Sequence, residues 1–200
     1  MEKQQNLCNP QDFFILGHSW AKQYFWASTD LSLIPDKYYR NGMKGFSGKI
    51  QVKILKGGKA PDVLGCGALM FIVSEKVIEI FQKYSLQKYG AYDIDMVDGR
   101  KGKKRSVEPI PKYTGIYFLG KGGAIDDKAS QTKYSVFEDG TKALDKINGI
   151  YFDLNNWDGS DLFYIEPLTS LPIITRRVKE ILEKEGIMGY KLRCLDEFVA

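Results

Sequence analysis

Two stretches of the chain, 101 positions apart, share one pattern of apolar and polar residues. The matched apolar pairs are Val77 with Val178, Ile80 with Ile181 and Phe81 with Leu182. Spacings of three and four residues place such side chains on one face of an α-helix. An apolar run ending in Ser74 or Thr175 precedes each helix, and we expect each hydroxyl to accept a hydrogen bond from a helix N–H as an N-cap. The pattern predicts an internal strand-helix-strand duplication with two equivalent amphipathic helices.

Strict alternation predicts strands on both sides of the first helix. Ile50, Val52 and Ile54 alternate with polar residues, and a similar alternation covers 92–96. The aromatic-rich segment 12–26 fits one or two strands, or a strand that leads into a short helix. Runs rich in Tyr, Phe and Ile predict further strands at 115–119, 133–137, 149–153 and 162–165. We expect a turn-rich connection at 35–45, a loop at 120–130 and a short helix at 141–148.

Runs of strands with two well-separated helices are typical of the α+β class, with a mixed and largely antiparallel sheet. Its length of 200 residues and apolar content of 44% suit a single domain over residues 1–200. An alternative division into sub-units 1–112 and 113–200 would give each one repeat. The pattern leaves open the strand order and whether the first 60 residues form a separate unit.

Composition excludes several classes of protein. The net charge of +4 is too small to indicate a nucleic-acid reader. No run approaches the ~20 apolar residues of a membrane helix, and the N-terminus lacks a secretory h-region. Cys8, Cys66 and Cys194 contain no CxxC pair and suit reduced thiols. We therefore expect a cytoplasmic protein that does not bind membranes, and the sequence leaves its oligomeric state open.

Few residues offer catalytic chemistry. His18 is the sole histidine, which excludes a zinc site with two imidazoles, and no GxSxG elbow is present for a hydrolase. The loop 120–123 could present backbone N–H groups to a phosphate, but it lacks the P-loop spacing. Carboxylate pairs occur at Asp93 with Asp95 and at Asp126 with Asp127. Asp93 and Asp95 would share one face of a strand and could hold a divalent cation there, although facing solvent is the simpler interpretation. We expect no enzymatic activity, no cofactor and no metal.

The segment Arg100–Arg105 carries five basic residues in six. Such like charges repel one another, so the segment suits a solvated loop. Gripping nucleic acid would require aromatic platforms nearby, and Tyr113 and Tyr117 are the best available. The sequence favours the solvated loop.

One polar turn stands apart from these weak signals. Its residues are Trp157, Asp158, Gly159, Ser160 and Asp161, immediately before the predicted strand that contains Phe163. A structural interpretation has Asp158 or Ser160 capping local backbone groups while Trp157 and Phe163 enter the core. After the turn come the apolar run 171–175, the helix 176–185 and a final segment 186–192.

The order of these features resembles the C-terminal signature of a group of bacterial polymorphic-toxin immunity proteins. In those families a GSD-aromatic turn precedes an apolar strand, a helix that follows Ser or Thr, and a closing strand with a gly-hydrophobic-x-gly-aromatic pattern. The resemblance covers about the last 45 residues well, and residues 68–97 more loosely through the internal repeat. It implies a non-enzymatic protein that binds and blocks a cognate toxin. The resemblance brings no catalytic residues with it.

An inhibitor of this kind needs exposed aromatic and charged residues on its surface. The expected contact residues are Tyr38, Tyr39, Arg40, Arg100, Lys103, Lys104, Arg105 and Tyr113. A chain that is not acidic favours a toxin other than a nuclease. Two rival hypotheses remain: a ligand pocket or enzyme site between the repeats that uses His18, Asp93, Asp95 and Asp161, and a nucleic-acid module that uses 100–105.

Overall fold

The computed structural model of the chain describes residues 6–39, 42–66, 69–100 and 108–200. It has two large sheets and one separate hairpin. In spatial order, the six-stranded sheet contains β2 (Trp26–Ser28), β3 (Lys49–Lys56), β6 (Tyr89–Asp98), β7 (Tyr113–Phe118), β5 (Leu69–Ser74) and β4 (Val63–Cys66). The five-stranded sheet contains β13 (Tyr190–Cys194), β1 (Phe13–His18), β12 (Leu168–Thr175), β11 (Leu162–Glu166) and β8 (Gly120–Ala124). The hairpin pairs β9 (Lys133–Val136) with β10 (Lys142–Lys146).

Within those ranges, three α-helices accompany the sheets: α1 (Asp36–Tyr39), α2 (Glu75–Lys83) and α3 (Arg176–Lys184). The pairings between strands are antiparallel except for β3 with β6 and β8 with β11. The protein is therefore a mixed, strand-rich α/β structure with largely antiparallel sheets. No helix of the described ranges is long and apolar enough to cross a membrane.

The two sheets use one pairing scheme. In the first, β7 lies between β5 and β6, and Ser74 pairs with Tyr113. In the second, β1 lies between β12 and β13, and Thr175 pairs with Phe13. β1 thus holds the central position between β12 and β13 in the second sheet, as β7 does between β5 and β6 in the first. A division at 112/113 therefore does not separate the sheets, since β7 joins β5 and β6 across it.

Both large helices pack into a central core between the sheets. α2 buries Val77, Ile80 and Phe81, and α3 buries Val178, Ile181 and Leu182. These side chains meet apolar residues of both sheets, including Phe14 of β1 and Phe118 of β7. A second core lies around Val52 and Tyr92, and a third around Phe152 and Phe163. The one-sided apolar pattern of each helix thus reflects this shared burial.

Three local predictions are wrong. The segment 141–148 contains the strand β10 rather than a helix, because it pairs with β9 across the turn at Gly140, whose φ is +81°. The glycine-rich stretch from Gly120 is the strand β8 rather than a loop. A Cβ on Gly120 would lie 1.9 Å from Ser160 Oγ, so this glycine allows a close approach between neighbouring segments. The segment 149–153 forms only isolated bridges at Phe152 and Asp153.

Candidate functional site

Most hydrogen bonds of the polar turn before β11, residues 157–161, join residues within the turn. Asp158 accepts hydrogen bonds from the backbone N–H and the hydroxyl of Ser160, and the N–H of Asp158 donates to Lys121 O at 3.0 Å. Trp157 Nε1 donates to Ser160 O at 3.1 Å, while Phe163 is fully buried. Gly159, which precedes Ser160 in the turn, has a φ of +75°, a conformation that favours glycine. Partial burial disfavours the charge on Asp158, but the bonds from Ser160 outweigh it and lower the pKa of this carboxyl.

Asp161 connects this turn to α3. Its carboxylate accepts a hydrogen bond from Thr175 Oγ1 at 2.6 Å and another from the guanidinium of Arg177. Arg177 also donates to Tyr84 O, at the end of α2, at 2.8 Å. The side chain of Asp161 therefore holds the start of α3, and through Arg177 it reaches the other large helix.

Asp62 makes the corresponding set of contacts at the start of α2. It accepts from Ser74 Oγ at 2.9 Å and lies 3.8 Å from Lys76 Nζ. Lys76 Nζ in turn donates to Gly186 O, beyond the end of α3, at 3.3 Å. Each carboxylate thus holds its own helix start, and each cation reaches the end of the opposite helix. We call Asp62, Ser74 and Lys76, with Asp161, Thr175 and Arg177, the paired clamps.

The clamps correct the N-cap prediction. Ser74 and Thr175 occupy the N-cap positions, but neither side chain accepts a hydrogen bond from its helix. The two hydroxyls donate to Asp62 and Asp161 instead. A hydroxyl can donate and accept at the same time, but the strong bond to the carboxylate orients each of these side chains, and neither accepts a bond from its helix.

Of the expected contact residues, the structure describes the side chains of Tyr38, Arg100 and Tyr113. Tyr113 is only 2% exposed, because it lies in β7, where its hydroxyl donates to Pro61 O at 2.6 Å. The prediction that Tyr113 is exposed is therefore wrong. Tyr38 is half-buried against Phe46, with a centroid separation of 5.3 Å. The side chain of Tyr39 and the residues Arg40, Lys103, Lys104 and Arg105 lie outside what the structure describes.

Arg100 belongs to a local ion pair. Its guanidinium donates to both carboxylate oxygens of Asp98, at 2.8 and 2.7 Å, and lies 4.8 Å from the ring centroid of Phe25. The bonds from Arg100 lower the pKa of Asp98 to about 2. The guanidinium of Arg100 is therefore already paired with a carboxylate of the same chain. The rest of the basic segment, 101–105, lies outside the described ranges.

The structure does not gather the residues of the predicted pocket. Asp93 and Asp95 lie on β6, and Asp95 is 3.7 Å from Lys49. Asp161 is engaged in its clamp, and the imidazole of His18 packs at 4.3 Å from Trp20. Burial lowers the pKa of His18. In the described ranges, no three His, Cys, Asp or Glu residues are placed to hold a metal ion.

A cavity of about 430 Å³ does lie beside the parallel pair β8 and β11, but other residues form its wall. Lys44, Lys121, Glu166 and Thr169 contribute polar groups, and Phe118 and Tyr164 contribute rings. Burial raises the pKa of Tyr164 to about 12, so its hydroxyl is a hydrogen-bond donor at neutral pH. No sequence pattern predicted this cavity, because its residues come from three distant segments, at 44, 118–124 and 164–169.

Two exposed apolar features were also missed. Val136 and Phe137, at the tip of the β9–β10 hairpin, are 64% and 56% exposed. Trp20 is 53% exposed, although it contacts His18 and Trp26. The signal for the hairpin was present, since two consecutive apolar residues beside Asp139-Gly140 cannot both face inward from a strand.

Comparison with known proteins adds no relative, since the chain matches no protein-family model and no curated protein at a significant level.

Proposed function

We propose that this chain is an immunity protein, which binds a cognate bacterial toxin domain and neutralises it without catalysis. The observation that carries the proposal is the exposed tip of the β9–β10 hairpin. Adjacent apolar side chains that project into solvent are costly for a free protein and typical of a surface that a partner covers. The resemblance of the last 45 residues to toxin-immunity proteins supports the same function.

The hairpin suits recognition because its base is braced while its tip is exposed. Asp127 accepts hydrogen bonds from Thr132 Oγ1 at 2.7 Å and Tyr134 Oη at 2.8 Å, which hold the first strand where it leaves the domain. These bonds lower the pKa of Asp127. A preordered arm loses less conformational entropy on binding than a flexible loop does.

The paired clamps support a rigid scaffold behind that arm. We infer that the two units around α2 and α3 arose by internal duplication, since their helix residues correspond at an offset of 101 and their strand pairing and clamp contacts are of the same kind. The residues of the toxin-immunity signature then have a structural role: Asp161 and Thr175 fix α3 against the sheet. Inhibition by binding requires such a stable surface and no reactive centre.

The test is co-expression with the C-terminal domain of any large secreted protein encoded beside this gene. We expect the wild-type chain to restore growth and to co-purify with that domain. Phe137→Ser should weaken the complex by about tenfold or more if the tip is a central anchor. Val199→Ser is the matched control, because Val199 is 61% exposed at another site. Absence of both rescue and complex would remove the proposal.

The cavity beside β8 favours a second candidate, the binding of a small anion. Lys44 and Lys121 supply two ammonium groups, against the single carboxylate of Glu166, and the Tyr164 hydroxyl supplies a further donor. Titration with inorganic phosphate, followed by NMR of the backbone amides, tests this candidate. We expect shifts at 120–124 that Lys121→Glu abolishes, and shifts scattered over the surface would rule it out.

A further inference from the structure

β13 is an edge of the five-stranded sheet. The corresponding strand of the other sheet, β6, is not an edge, because β3 pairs with it in parallel from Asp93 to Asp98. In the first sheet β3 occupies the position beside β6, whereas no described strand pairs with the outer side of β13 along Tyr190–Cys194. Just before this edge, Val63 of β4 donates its N–H to Met188 O at 2.9 Å. An exposed edge offers backbone groups to which an extended segment of another protein can add.

The side chains along this edge are cationic. Lys191 and Arg193 are both exposed, and they line one side of a cavity of about 190 Å³. The other walls are mostly apolar and come from Ile15, Leu171 and Phe198, and no Asp or Glu lines this cavity. Within the described ranges, no carboxylate oxygen lies within 4.0 Å of the Lys191 or Arg193 nitrogens. The edge thus combines a mostly apolar pocket with two cationic side chains that form no ion pair within the described ranges.

We propose that β13 forms the docking edge for an extended acidic segment of the partner protein. The segment would add as a strand beside β13 and place its carboxylates near Lys191 and Arg193. This inference rests on the proposed function for the identity of the partner as a toxin. The acidic chemistry of the segment follows from the charges of the edge itself.

A peptide titration tests the edge without the toxin. The probe is a short capped peptide of alternating Glu and Val, and the readout is the backbone N–H resonances of the full chain. We expect shifts at 190–194, which weaken as ionic strength rises. A peptide of alternating Lys and Val should give none. Absence of shifts at the edge with the acidic peptide would overturn the inference.

Charge reversal then separates this inference from the proposed function. Lys191→Glu with Arg193→Glu should weaken binding of the acidic peptide and of the toxin domain by at least about tenfold. Lys112→Glu with Lys128→Glu, an equal charge change elsewhere on the surface, should leave both unchanged. A toxin complex that forms equally well with the edge variant would overturn the docking edge and leave the immunity function standing. Peptide binding without any toxin complex would contradict the immunity function alone.

Discussion

Replacement of Asp62 by alanine tests the paired clamps most sharply. This carboxylate accepts hydrogen bonds from Ser74 Oγ and from the backbone N–H of Met188, both at 2.9 Å. The side chain is only 12% exposed. Asp62→Ala therefore removes two hydrogen bonds to a charged acceptor at once, and it leaves two donors in a poorly hydrated place.

The size of the effect follows from those contacts. A hydrogen bond to a charged group contributes roughly 1.5–3 kcal/mol, and breaking one side of a buried polar cluster costs about 3–5 kcal/mol. We therefore expect the free energy of unfolding to fall by about 3–5 kcal/mol. For a chain of this length, each kcal/mol lowers Tm by roughly 2–4 °C, which gives a total fall of about 6–20 °C.

Urea unfolding followed by tryptophan fluorescence, together with a thermal scan, measures this loss. Asp62→Asn should lie between the alanine variant and wild type, since the amide oxygen can still accept one of the two bonds. Asp93→Ala is the control, because Asp93 is an exposed strand residue and should change stability by less than about 0.5 kcal/mol. If Asp62→Ala is no more destabilising than Asp93→Ala, the clamp does not hold the two units together.

Three further predictions concern the buried groups near the edges of the sheets. Gly65→Ala should cost about 1–3 kcal/mol in urea unfolding, because its Cβ would lie 2.0 Å from His18 Cδ2, whereas Gly58→Ala meets no atom within 4 Å and should be neutral. Burial lowers the pKa of His18 below its ordinary 6.5, so the folded state favours the neutral ring. The free energy of unfolding is therefore highest, as far as His18 is concerned, above pH 6.5, and it falls as the pH drops from 6.5 through the pKa of His18 in the folded state. His18→Asn should reduce this fall, which urea titrations across that pH range measure. Burial raises the pKa of the Cys66 thiol to about 11, so a thiol reagent at pH 8 should label Cys66 only after unfolding, and rapid labelling of the native protein would contradict this.

The sequence predicted what depends on local periodicity. The apolar faces of α2 and α3 and the alternating strands β3 and β6 each follow from side chains a few residues apart. Their burial in the structure has the same cause, since one face of each element meets a core.

The pairing between distant segments could not be predicted in this way. Nothing in the apolar run at the start of Phe13–His18 shows that this strand inserts between β12 and β13, more than 150 residues later. The glycines of β8 suggested a loop, because composition cannot distinguish a flexible turn from a close approach to Ser160 and Phe163. The partners of Ser74 and Thr175 were missed for a related reason, since Asp62 and Asp161 lie across a hairpin from them.

The proposed immunity function requires a stable complex with a toxin. The direct measurement is an isothermal titration of this chain with the purified toxin domain encoded beside its gene, with light scattering on the mixture and an assay of the toxin's activity. An immunity protein should form one complex of defined stoichiometry with a Kd below about 1 μM, and toxin activity should fall in proportion to the complex formed. No heat of binding, no complex and full toxin activity at saturating concentrations of this chain would contradict it.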